Sequence, residues 1–350
     1  MALLFVVLSL WCMFGKKTNY SESERRELAK KPEVTIQTIQ SGQFASDFED
    51  YAVDHFPARD TFRSIKAYTR LYLLGQNDNN GLYTSGDHIS KIEYPHNPEM
   101  TSHASTLFTQ IYEQYLQDNS VYFAMIPDKN CYLGDLKIDY KTFESDMWKA
   151  LPFAQPISIT ALLSATDFYH TDTHWRQEQI VDVAEKLASS MGTSISSDYE
   201  TVTLKQPFYG VYAGQSALNV KPDRISYLTN PAIEAYDVMI LNQYGKPVSS
   251  AVYNREKLAG KDPYEMFLSG NQPIVTIRNS NSSSDKRLIL FRDSFGSSIA
   301  PLLAQGYAET ILIDLRYIQS SMLGAFVDFE NADVLFLYST LLLNNSLGLK

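Results

Sequence analysis

Between Leu288 and Tyr338 continuous apolar runs alternate with helical spacing, and this rhythm leaves few folds open to the chain. Leu288–Phe291, Thr310–Leu315 and Val334–Tyr338 read as strands, with Ser297–Gly306 and Met322–Phe329 as the helices between them. Strands without polar alternation are covered on both faces, and strand–helix–strand order demands parallel pairing with crossover helices. Val121–Ile126, stopped by Pro127-Asp128, has the same character. The expected fold class is therefore α/β, a parallel sheet flanked by helices.

Elsewhere the pattern places helices over Ser105–Asp118, Glu144–Leu151, Ile157–Ala165 and Gln177–Met191. Phe44 to Phe56 has helical spacing that Pro57 ends, and Asp60 is a suitable N-cap for a helix carrying Phe62, Ile65, Tyr68 and Tyr72 on one side. Residues 195–285 change character, becoming rich in Ser, Tyr, Asn and Gly with short alternating stretches such as Val202–Leu204 and Val211–Ala213. They read as a β- and loop-rich insertion, suited to a substrate-binding lid. Residues 18–40 carry the charged run Ser21-Glu22-Ser23-Glu24-Arg25-Arg26 and the breaker Lys30-Lys31-Pro32, and read as a tether before a domain spanning 41–350.

Ala2 to Gly15 is apolar and uncharged, followed by Lys16 and Lys17. It is short for a membrane span, which needs about 20 residues. We read residues 1–17 as an export signal or uncleaved anchor, in preference to a buried hydrophobic segment. No basic region precedes it, which fits a start lying farther upstream. The net charge of -10 argues against nucleic-acid and anionic-membrane partners and suits a neutral, sugar-like one. Of the two cysteines, Cys12 lies within the apolar segment, so no internal disulfide is expected; no Cys/His spacing suggests zinc, and no metal or cofactor is expected.

Two segments carry chemistry. Asp172 and His174 stand two residues apart in Thr171-Asp172-Thr173-His174-Trp175, where an extended chain points both the same way. The carboxylate could then fix the imidazole tautomer and leave the other nitrogen free as a base. Ser294 follows the strand Leu288–Phe291 at the entry to a helix, the carboxyl edge where α/β sheets place their sites. Each segment has a plainer reading: Asp293-Ser294 as a helix cap, and Asp172 as a cap for the helix after Trp175. Together they fit a serine-dependent acyl-transfer enzyme, because a serine hydroxyl needs a base within reach.

Asp-Thr-His-Trp at 172–175, Arg-Asp-Ser-Phe at 292–295 and Asp-Leu-Arg-Tyr at 314–317 resemble the DHHW-type proteins, SGNH-like relatives of the alginate O-acetyltransferases. Ser21–Arg25 and Phe44–Asp60 also look like the start of that family. The resemblance implies an SGNH-like fold with the Asp-x-His element preceding the serine. It implies an extracytoplasmic enzyme that acetylates a surface polysaccharide, beside a membrane-bound O-acyltransferase that supplies acetyl groups. Carried over, Ser294 is the nucleophile, His174 the base and Asp172 the orienter. Arg316 matches a motif arginine that either faces the site as an oxyanion or substrate contact or forms a structural ion pair. Position 173 is Thr where the namesake motif has His, and position 292 is Arg where ordinary SGNH esterases have Gly. The same triad would serve a carbohydrate acetylesterase, and a decayed site would leave a polysaccharide-binding or assembly protein.

Overall fold

The structure, a computed structural model, describes Trp11, residues 18–242 and residues 244–350. The stretch 1–17, read as a signal or anchor, lies outside these apart from Trp11. Among the described residues no helix is long and apolar enough to cross a membrane.

Eight strands form the central sheet: β1 Ser120–Ile126, β2 Gln155–Pro156, β3 Asp237–Leu241, β4 Pro247–Ser250, β5 Ile274–Arg278, β6 Arg287–Arg292, β7 Glu309–Ile313 and β8 Ala332–Ser339. Their spatial order is β4-β3-β5-β7-β6-β8-β1-β2. From β7 to β2 the pairing is parallel, and β5, β3 and β4 extend that edge antiparallel. The fold is thus α/β with a mostly parallel sheet between helices, as the apolar runs led us to expect. Leu288 and Leu290 point to one core, shared with Val183, Leu187 and Ile299, while Ile289 and Phe291 point to another with Phe108 and Phe143. Both faces of β6 are therefore dry, which explains why its sequence lacks polar alternation. The chain leaves β6 toward β7 on one side and returns to β8 on the other, so the carboxyl end of β6 is a topological switch point.

Several local expectations give way. Ile157–Ala165 is not a helix: Ile157 continues the pairing of β2 by donating to Phe123 O, and only the short 3-10 turns Thr160–Leu162 and Ala165–Asp167 form. Three alternating apolar residues, Ile157, Ile159 and Leu163, are thereby buried. Val211–Ser216 is a helix rather than a strand, and Met322–Phe329 yields only the 3-10 helix Ser320–Ala325. Gly324, a poor helix former, sits against the Tyr115 ring there. Asp60 lies inside the first turn of the helix Arg59–Tyr68, whose N-cap is Ala58.

The stretch 195–285 is built into the sheet, since β3, β4 and β5 all come from it. Nor does the charged run at 21–26 stand off as part of a tether. Tyr20–Ser21 pairs with Arg26–Glu27, Leu28 is buried, and Glu24 forms ion pairs with Arg59 at 2.6 Å and Arg63 at 3.3 Å. Glu24, one of the charges that suggested a solvated segment, thus has its partners on the helix Arg59–Tyr68, and Arg26 has Asp54 on the helix before it.

Candidate active site

Ser294 follows β6 by two residues, at the switch point. The turn that exposes it is tied by Asp293, whose Oδ1 accepts from Phe295 N–H at 3.0 Å and whose Oδ2 accepts from Ser339 N–H at the end of β8 at 2.8 Å. With Asp293 holding the turn, the Ser294 side chain is not used as a cap. The chain then enters the helix Gly296–Leu303 against β6 so closely that a Cβ on Gly296 would come within 2.5 Å of Arg292 Cβ. The N–H groups of Phe295, Gly296 and Ser297 are consumed in this turn; among the described residues that of Ser294 has no partner.

Asp172 and His174 sit at the tip of a narrow loop that Phe168 and Trp175 close by an antiparallel bridge. Trp175 anchors it. Its indole is fully buried and donates to Ser298 Oγ at 2.8 Å on the helix that follows Ser294. Burying such a side chain contributes about 2–3 kcal/mol, enough to fix the loop on that helix. From beneath, Lys129 Nζ donates to the carbonyls of Tyr169, His170 and Asp172 at 2.9, 3.2 and 2.7 Å. Burial draws this ammonium down to about 8, with Asp128 and Asp172 opposing.

These supports bring the three residues together. His174 Nε2 lies 2.7 Å from Ser294 Oγ, and His174 Nδ1 lies 2.6 Å from Asp172 Oδ1. Asp172 Oδ1 also accepts from the His174 N–H, and its Oδ2 accepts from Val211 N–H at 2.8 Å. Burial works against the Asp172 charge, but His174, Arg25 and the Val211 N–H outweigh it and hold the carboxyl below its ordinary range. The imidazole is clamped by stacking on Tyr264, with ring centres 3.8 Å apart and planes 9° from parallel, and by Phe295 at 4.9 Å. Tyr264 in turn donates to Ser298 Oγ at 2.8 Å.

Sequence reading missed several of these supports. Gly210 is needed for close approach, because a Cβ there would come within 2.3 Å of Asp172 Cβ. Its neighbour Val211 supplies the N–H to Asp172, and Tyr264 supplies the stacking face. All come from the stretch 195–285, in which no single residue type announces such a role.

Arg316 holds the carboxylate that follows β7. Its Nε and Nη2 donate to Asp314 at 2.9 and 2.7 Å, which is the ion-pair alternative. Burial opposes its charge, but Asp314 more than compensates. Arg292, the residue standing where SGNH esterases have Gly, is fully buried and points at Asp314 (3.2 Å) and the carbonyls of Asp293 and Gly270. A cleft of about 320 Å³ abuts the loop at Thr173 and Val211 and is lined also by Lys91, Tyr94 and Asn344.

No family model and no curated protein matches the chain. Solved structures do. A DHHW family protein from Eubacterium siraeum superposes with a TM-score of 0.65 at 18% identity, over 77% of this chain and 95% of that one. The fold is that of the DHHW-type protein. PatB1 of Bacillus cereus is similar, with a TM-score of 0.59 at 18% identity over 76% of this chain and 97% of its own. PatB1 bearing a sulfonyl adduct gives 0.60 at 20% identity, over 75% and 95%. At these identities the likeness is one of fold, and it agrees with the resemblance carried by 172–175, 292–295 and 314–317.

Proposed function

We propose that the chain is an extracytoplasmic O-acetyltransferase that acylates Ser294 and passes the acetyl group to a hydroxyl of a surface polysaccharide. The observation that carries this reading is the continuous chain of contacts from Asp172 through His174 to Ser294 Oγ. As Ser294 Oγ attacks the carbonyl carbon of an acetyl donor, its proton passes to His174 Nε2, and the imidazolium is balanced by Asp172. The unpaired Ser294 N–H, at a turn feeding a helix N-terminus, is suited to stabilise the oxyanion. Collapse breaks the donor's acyl–oxygen bond, His174 protonates the leaving alcohol, and an acyl-serine remains. A sugar hydroxyl then loses its proton to His174, attacks the acyl-serine and leaves as the acetyl ester, restoring Ser294. Arg316 Nη1, not used by Asp314, is the group we assign to substrate charge. A membrane-bound O-acyltransferase is the proposed source of acetyl groups, and residues 1–17 the export signal or anchor.

The acidic chain favours a neutral glycan, and the cleft beside Thr173 offers the half-exposed Tyr94 ring to a sugar face. The test is covalent labelling. A fluorophosphonate or sulfonyl fluoride should modify the wild type at Ser294, and Ser294→Ala should abolish the adduct. Incubation with an acetyl-ester donor and a glycan acceptor should then give acetylated glycan by mass spectrometry. Absence of labelling, or equal labelling of Ser294→Ala, ends the proposal.

A further inference from the structure

The N-terminal hairpin reaches the carboxylate that orients His174. Arg25, at its turn, holds φ at +53°, in the left-handed region. Such a backbone is strained for a residue other than glycine and persists only where the surroundings enforce it. Here they do. Arg25 Nη1 lies 2.8 Å from Asp262 Oδ1 and 3.9 Å from Asp172 Oδ2, and the side chain is only 12% exposed. Its Nη2 donates to Tyr209 O at 2.6 Å, and the guanidinium lies over the Phe208 ring. The hairpin itself is locked to the loop that supplies Gly210 and Val211. Arg63, paired with Glu24, donates to the Gly214 and Gln215 carbonyls at 2.9 and 3.1 Å, and a Cβ on Gly214 would fall 1.6 Å from Ser23 O.

Arg25 therefore sits between two carboxylates, Asp172 and Asp262, that would otherwise repel each other. Asp262 feels this already: burial and then the Asp172 charge push its carboxyl upward, with Arg25 opposing. If Asp172 turned away from Asp262, Oδ1 would leave His174 Nδ1–H, and if it took up a proton the bond would lose the charge that balances an imidazolium. We propose that Arg25 is a positioning residue, neutralising the Asp172–Asp262 pair and holding Asp172 Oδ1 on His174, so that the N-terminal hairpin is a working part of the site. This inference rests on the acyl-transfer reading above.

The other charged and titratable groups around the pair are Lys129, which meets the Asp172 carbonyl from below, and Asp223, which accepts from the His170 and Thr171 N–H groups. Tyr264 is stacked on the ring, Asp293 ties the serine turn, and His170 flanks the loop beside Asp223; Tyr169 and Tyr212 face Asp172, and Tyr20 faces Arg25 and Asp262. Asp262 Oδ1 also accepts from Tyr264 N–H at 3.0 Å, a bond that an asparagine at 262 can keep, so Asp262→Asn removes the charge while retaining the cap under the ring stacked on His174.

The experiment measures kcat/KM for p-nitrophenyl acetate hydrolysis against pH on the full chain. Removing the cation favours protonated His174, so Arg25→Gln should move the acid limb up by about half a pH unit or more. Asp262→Asn should move it down by a similar amount, and Arg25→Lys should leave it within about 0.2 unit of wild type. A residue serving only to dock the hairpin would change the rate and leave the limb in place. Limbs for Arg25→Gln and Asp262→Asn that coincide with wild type, with Ser294 still labelled by a fluorophosphonate, overturn the inference alone. If Arg25→Gln does not fold, Asp262→Asn decides by the same criterion. Failure of the wild type to label at Ser294 instead removes the acyl-transfer reading and takes this inference with it.

Discussion

Two clusters of charge stand on either side of the turn that carries Ser294, and they differ in what their carboxylate is shared with. In the first, Asp172 is shared between an imidazole at 2.6 Å, a backbone N–H and the Arg25 guanidinium. In the second, Asp314 is shared between two guanidiniums, Arg292 at 3.2 Å and Arg316 at 2.7 Å. An imidazole gains and loses its proton near neutrality, while a guanidinium never gives its own up. Charge can therefore move within the first cluster during a reaction, and the second can only hold a fixed field and a fixed shape. Similar groups, buried to a similar degree, are suited to proton movement in the first cluster and to a fixed charge and frame in the second, with Arg316 Nη1 left over by Asp314 for substrate.

Breaking each carboxylate's partnership should expose that difference. The largest effect is expected from Asp172→Asn. An asparagine keeps the shape but presents the wrong partner to His174 Nδ1, and acetyl-ester turnover should fall about 10³–10⁴-fold. The melting temperature should stay within about 3 °C of wild type. A loss of less than about tenfold would place Asp172 with Asp314, among the scaffold.

On the other side the response should appear in stability. Arg292→Met removes a fully buried cation from Asp314 while Arg316 remains. The expected loss is about 2–3 kcal/mol, below the 3–5 kcal/mol typical of a buried charge left wholly alone. Denaturant unfolding measures it, and kcat/KM of the folded fraction should change by less than about tenfold. A variant as stable as wild type but inactive would mean that Arg292 belongs to the chemistry and that the two clusters are not divided as described.

How much of this could be read beforehand depends on the range of the interactions involved. The strands β1, β6, β7 and β8 were legible because a strand buried on both faces writes that fact into its own few residues. The Asp172/His174 pair was legible because its spacing alone sets a common direction, and Ser294 because strand and helix meet at it. Tyr264, Gly210, Val211 and Arg25 were not. Each acts on Asp172 or His174 from a segment far away in the chain, and locally each looks like an ordinary loop residue. The run at 21–26 misled for the same reason: a sequence shows charges but not the Arg59 and Arg63 that meet them. At Ile157–Ala165 apolar spacing suggested a helix, whereas an open edge beside β1 drew the chain into pairing.

The smallest expected effect tests whether the hairpin carrying Arg25 shares the fixed character of the Asp314 cluster. Asp54 anchors it, accepting from Arg26 Nη1 at 2.9 Å and Nη2 at 2.5 Å and from Ala29 N–H at 2.8 Å. The Arg26 hydrogen bonds, opposed by burial and aided by the Ala29 N–H, lower the Asp54 carboxyl from 3.8 to about 2. A carboxyl lowered on folding stabilises the fold above its unfolded value and loses that contribution as pH falls through the folded one. The window is therefore from about pH 4 down to about pH 2. Arg26 is 42% exposed, so solvent screening reduces the contribution to about 1–2 kcal/mol. Urea unfolding of wild type and Asp54→Asn across this window should show the wild type more stable at pH 5, with the gap closing toward pH 2. Because the same hairpin holds Arg25 against Asp172, Asp54→Asn at pH 5 should also lower acetyl-ester turnover, by a few-fold at most. A gap that does not change with pH would mean that Asp54 holds the hairpin by shape alone, without the charge that ties the Asp314 cluster together.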